Sequence, residues 1–95
     1  MIGAIAKLKV KEGDRDNFIE AMSKLVHAVS ENEPDCFYYE MHETEDPLVI
    51  MMIELYKTEE AHANHVKTDH FKSLGMALAP FLDGAPEITV HKSVS

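Results

Sequence analysis

The stretch Leu48-Val49-Ile50-Met51-Met52-Ile53-Glu54-Leu55-Tyr56 decides the fold. Its length and apolar, partly β-branched make-up read as a strand, and alternate residues of a strand point to opposite faces. One face then carries Val49, Met51, Ile53 and Leu55, and the other Leu48, Ile50, Met52, Glu54 and Tyr56. A sheet covered on one side only alternates apolar with polar residues. This strand is apolar on both sides, so both faces of its sheet need a cover. Glu54 is the exception, a lone carboxylate in an apolar row.

On its N-terminal side, Thr44-Glu45-Asp46-Pro47 is a turn that joins it as a hairpin to an earlier strand, Cys36 to Glu43, rich in aromatics at Phe37, Tyr38 and Tyr39. Glu33-Pro34-Asp35 breaks a preceding helix, because proline disfavours helical geometry in the residue before it. That helix presents Phe18, Met22, Leu25, Val26 and Val29 as one stripe, leaves Lys24 and His27 off it, and has Asp14 as its expected cap. Lys11 to Asp14 is a turn, and residues 2–10 form a first strand with Ile2, Ala4, Ala6, Leu8 and Val10 on one face.

On the C-terminal side, Thr58 caps a helix whose first turn holds Glu59 and Glu60, carboxylates suited to the positive end of its dipole. The pattern breaks near Thr68, and a second helical piece carries Phe71, Leu74 and Leu78 until Pro80 ends it. Asp83 to Pro86 is a loop, and Glu87 to Lys92 a last strand with Ile88 and Val90 expected inward. The order β-α-β-β-α-β is the α+β ferredoxin-like pattern, here one antiparallel domain over residues 1–95. Two helical segments cover one face of such a sheet. The other face is left for a ligand, a second subunit, or both.

A chain of 95 residues hides only roughly two-thirds of its unfolded surface, which makes pairing into a homodimer a natural way to complete the core. A formal net charge of −8 argues against nucleic acid and anionic membrane as partners. No apolar run approaches the length needed to cross a bilayer, no signal peptide is evident, and Cys36 is the only cysteine. These features suggest a soluble protein of the cytoplasm. Cys36 itself reads as a small buried apolar residue rather than a nucleophile.

Glycine-rich phosphate loops, Cys-x-x-Cys, Gly-x-Ser-x-Gly and His-Glu-x-x-His are missing, so nucleotide, Rossmann-flavin and thiol-redox chemistries have no motif to stand on. His62, His65 and His70 fall within nine residues, but no further ligand stands at motif spacing, and a metal is not expected. His62 reads as a solvated helix histidine. Glu54 and His65 make the stronger pair: a carboxylate in an apolar row needs a partner, and an imidazole on the following helix can supply it and move protons near neutral pH. The competing reading is that Glu54 is a wet, structural strand end. Tyr39 and Tyr56 can offer hydroxyls or stacking surface. Met41, Met51 and Met52 suit either a pliable core or a pocket for a flat ligand.

Together, Glu33-Pro34-Asp35-Cys36 with Tyr39-Glu40, then Glu54-Leu55-Tyr56, then Ala61 with His65-Val66-Lys67-Thr68-Asp69-His70-Phe71, and finally Leu78-Ala79-Pro80, resemble the antibiotic biosynthesis monooxygenase domain family in its small bacterial quinol-monooxygenase-like branch. The resemblance covers nearly the whole chain. It implies a dimer in which two ferredoxin-like sheets close into an α/β barrel. It also implies oxidation of an electron-rich phenol or quinol by dioxygen with no cofactor, neither flavin, haem nor metal.

By that resemblance His65 is the base and Glu54 its orienting partner. Tyr39, Tyr56, Met52, His70 and Phe71 are expected to contact a small aromatic or quinone-like ligand, with His70 alternatively tethering the helix junction. Family members often have glycine where Asp35 stands and tryptophan where Tyr56 stands. The related haem-degrading proteins use a pocket tryptophan and an asparagine near the first strand, where this chain has Ala6 and Lys7. A further related branch isomerises a phosphorylated keto sugar, for which Lys67 and Lys72 are the local cations. A non-catalytic ligand-binding stress module is the remaining alternative.

Overall fold

The computed structural model describes residues 1–94. Four strands, β1 (Ile2–Lys9), β2 (Cys36–Glu43), β3 (Val49–Tyr56) and β4 (Glu87–Lys92), form one antiparallel sheet in the order β2-β3-β1-β4. Between them run α1 (Arg15–Asn32), α2 (Glu59–His65) and α3 (Asp69–Met76), with a 3-10 turn at Ala79–Phe81. The ferredoxin-like architecture is the one expected.

One of the two apolar faces of β3 is covered within the chain. Ile50, Met52, Glu54 and Tyr56 lie on the covered face of β3, in register with buried Leu8, Ala6, Ala4 and Ile2 of β1. Phe18, Met22, Leu25 and Val29 of α1 are buried in the same core, together with Leu8, Val10, Ile50, Met52, Tyr39 and Leu78. Burying each such large apolar side chain is worth about 1.5–3 kcal/mol. Val49, Met51, Ile53 and Leu55 point the other way, onto a sheet face that no helix among the described residues covers, and are half-buried among their own neighbours.

Local details correct several expectations. Leu48 and Val10 fall just outside β3 and β1; Val10 instead bridges Leu82 and donates its N–H to Leu48 O at 2.7 Å. Asp14 precedes α1 but its side chain makes no capping bond; at φ −105°, ψ 5° it lacks the extended backbone that aims a cap at the first turn. Gly13, at φ 86°, supplies the left-handed residue that this turn demands. Leu78 lies past the end of α3 yet is still buried.

Ile88 and Val90 are on the helix-side face, opposite Ala6 and Ala4, but remain 61% and 50% exposed. Strand β4 is the sheet edge beyond β1, and none of its residues is buried. Their facing is as expected and their burial is not.

Candidate active site

The covered face of β3 turns polar at its last positions. Glu54 and Tyr56, two residues apart on one strand face, bond directly: Tyr56 Oη donates to Glu54 Oε1 at 2.6 Å. Both are buried, Glu54 at 9% exposure and Tyr56 at 0%. The apolar surroundings of a carboxylate are thereby offset by a hydroxyl donor rather than by a charge.

Helix α2 brings imidazoles over this point. Thr58 Oγ1 accepts the Ala61 N–H at 3.1 Å, which starts the helix as expected. His62 and His65, one turn apart, then both lean on the Tyr56 ring, at centroid distances of 5.0 and 5.6 Å. Thr68 closes the segment twice over, donating to His65 O at 2.7 Å and accepting Phe71 N–H at 3.2 Å as the cap of α3.

His65 is enclosed by three rings. Tyr39 lies 5.0 Å away, Tyr56 5.6 Å and Phe71 4.8 Å, all tilted or edge-on. Its polar partner is not Glu54. Nδ1 of His65 sits 3.0 and 2.9 Å from the two carboxylate oxygens of Glu33, at the C-terminal cap of α1. His70 Nε2 reaches the same Glu33 Oε2 at 2.5 Å. The expected Glu54–His65 pairing is thus replaced by Glu33–His65, because the end of α1 lies against the α2–α3 junction and offers Nδ1 a carboxylate from that side. His70 takes the tethering position.

A cavity of about 460 Å³ opens between the sheet and the α2–α3 segment. Of the expected contact residues, Tyr39, Met52, Glu54, His65 and Phe71 line it. Tyr56 and His70 do not: Tyr56 is fully buried with its hydroxyl turned to Glu54, and His70 is turned to Glu33. His62, read from sequence as solvated, does line the cavity, as does Lys72. The remaining wall is largely apolar, with Ala6, Leu8, Met22, Leu25 and Ile88 among its residues.

Burial is the main force pushing the Tyr39 and Tyr56 hydroxyls above the ordinary tyrosine range, and the Glu54 charge adds to it. Cys36 is half-buried, and its thiol is pushed up to about 11, by burial first and then by the Glu33 charge. It is a poor nucleophile. No group of three or more His, Cys, Asp or Glu side chains among the described residues is arranged to hold a metal ion. No helix among them is long and apolar enough to cross a membrane.

Glu33 is the site residue to which the sequence assigned no role beyond a helix break and a place in a family-like block. Its partners are 32 and 37 residues away, so no local pattern announces the contact. The available signal was its place in the Glu33-Pro34-Asp35-Cys36 block that carries the family resemblance.

Residues 1–74 match the family described as Antibiotic biosynthesis monooxygenase. The chain belongs to that family. A candidate antibiotic biosynthesis monooxygenase from Caulobacter crescentus shares 34% identity, over 99% of this chain and 90% of the other, with a TM-score of 0.94. A conserved protein from Methanosarcina mazei is 29% identical over 96% of this chain and 90% of its own, with a TM-score of 0.88. A candidate antibiotic biosynthesis monooxygenase from Nitrosomonas europaea, at 23% identity over the whole of both chains and a TM-score of 0.88, shares the fold. No match is found among curated proteins.

Proposed function

We propose that this member of the antibiotic biosynthesis monooxygenase family is a cofactor-independent monooxygenase, of the quinol-monooxygenase-like kind, that oxidises a small phenol or quinol with dioxygen. The observation that carries it is the cavity: apolar for most of its wall, with Glu54 and His65 both among the residues that line it. A flat aromatic ring suits such a wall, and its hydroxyl suits the few polar groups on it. His65 takes the phenolic proton, and the electron-rich phenolate reduces dioxygen with water held away.

The reaction balances without an added reductant. Hydroquinone plus dioxygen gives hydroxybenzoquinone plus water; one oxygen atom enters the ring, and the substrate supplies all the electrons. The protein contributes binding, orientation and proton transfer.

The same reading includes a homodimer. Ile5, Ile53 and Leu55 are half-buried on the open sheet face, beside Tyr38 and His91 along an apolar hollow. A second copy of this face would cover it, as the paired sheets of the family resemblance imply.

The test is oxygen uptake with hydroquinone and a panel of substituted phenols, with no metal added. His65→Ala, with an unchanged circular-dichroism spectrum, is expected to lower turnover by about 10²–10⁴-fold. No uptake with any of the panel, or full turnover by His65→Ala, sinks the reading. A phosphorylated sugar has weaker support, since of Lys67 and Lys72 only Lys72 lines the cavity; turnover without dioxygen would point to it.

A further inference from the structure

We infer that Glu33 is a positioning residue: it holds the His65 ring with its proton on Nδ1, so that Nε2 is the nitrogen presented to the cavity as proton acceptor. An ionised carboxylate can only accept hydrogen bonds. With both Glu33 oxygens within 3.0 Å of Nδ1, that nitrogen is the one that carries the hydrogen. His65 lines the cavity and Glu33 does not, so the carboxylate stands behind the ring relative to the ligand space.

Nε2 has no hydrogen-bond partner among the described residues, and it is not sealed off, since no buried side-chain polar atom is left without a partner. The pattern is a half-buried carboxylate, an imidazole and an open nitrogen in series, which selects one tautomer.

Three features make the arrangement firm. The Glu33 side chain is only 11% exposed, so water competes weakly for it. Tyr39, Tyr56 and Phe71 hemming the imidazole oppose a ring flip, which would turn a carbon toward Glu33. His70 Nε2 bonds the same Oε2 and so helps to fix the carboxylate itself. When Nε2 takes a proton, the new positive charge lies against Glu33.

The tautomer assignment stands on geometry alone; the use of Nε2 as a base rests on the monooxygenase reading. Long-range proton–nitrogen correlation spectra of protein labelled at histidine with ¹⁵N, recorded well above the usual imidazole range, read the tautomer directly. Wild type is expected to show His65 as the neutral Nδ1–H form. Glu33→Ala is expected to shift it toward a mixture with Nε2–H, at an unchanged backbone spectrum, and His70→Ala to leave the tautomer as in wild type.

Should Glu33→Ala not fold, Glu33→Gln keeps the volume and one acceptor, and the wild-type spectrum remains decisive. An Nε2–H or doubly protonated His65 in wild type overturns the inference, as does a tautomer indifferent to Glu33. With phenolic substrate, Glu33→Ala is expected to lower kcat about 10–100-fold with little change in KM. The expected tautomer in a protein that oxidises no phenol would sink the proposed reaction and leave Glu33 in its role. Oxidation with the other tautomer would do the reverse.

Discussion

Tyr56 Oη donates a 2.6 Å hydrogen bond to Glu54 Oε1, a neighbour two residues back on the same covered face of β3. This bond is the only one that the structure gives the Glu54 carboxylate among the described residues. Tyr56→Phe would keep the ring against His62 and His65 and remove only the donor. The expected cost is about 1–3 kcal/mol of stability, the penalty for a buried acceptor deprived of its partner, measured by urea unfolding. A variant as stable as wild type would mean that water reaches Glu54 freely.

The tyrosines also set a response to alkali. In the unfolded chain Tyr39 and Tyr56 ionise near pH 10 or so, whereas in the fold burial, helped by the Glu54 charge, keeps both protonated beyond that. Above the unfolded value the native state therefore binds more protons. Their contribution to stability is fully present below about pH 10 and is lost as pH rises further, by up to about 1.4 kcal/mol per pH unit for each tyrosine. Tyr39→Phe is expected to flatten that fall in denaturant midpoints. An unchanged slope would show that Tyr39 ionises in the fold as it does in water.

Cys36 is expected to alkylate slowly. With its thiol pushed up to about 11 by burial and by Glu33, the thiolate fraction near neutral pH falls on the order of 100-fold below that of an ordinary cysteine. The rate with iodoacetamide should rise sharply in urea, and more modestly in folded Glu33→Gln, where the second cause is removed. Equal rates for native and unfolded protein would contradict the placement.

The open sheet face predicts an assembly. Ile53→Asp puts a charge in the middle of the apolar hollow formed with Ile5 and Leu55. Sedimentation at micromolar concentration is expected to show a dimer for wild type and a monomer for the variant, with the circular dichroism retained. A monomeric wild type would remove the dimer from the proposal.

Much of this molecule is legible along the chain because its signals are local. The alternation in Leu48 to Tyr56, the stripe of Phe18, Met22, Leu25 and Val29, the cap Thr58 and the break near Thr68 depend on neighbours a few residues away. The strand faces follow from the same periodicity, including those of Ile88 and Val90. Their exposure does not, since cover depends on where the helices lie over the sheet, and β4 falls outside them.

The sequence by itself determined the element order and which residues of β3 share a face; that Glu54, Tyr39, Met52, His65 and Phe71 would meet was implied by the family resemblance, and these five line one cavity. Only the tertiary structure decided which carboxylate meets which ring. Glu54 had a hydroxyl two residues away to satisfy it, while His65 and His70 found Glu33 across more than thirty residues of chain. Hydrogen bonds form with whatever group packing brings within about 3 Å, and packing between the end of one helix and the junction of two others leaves no periodic trace in the residues that make it.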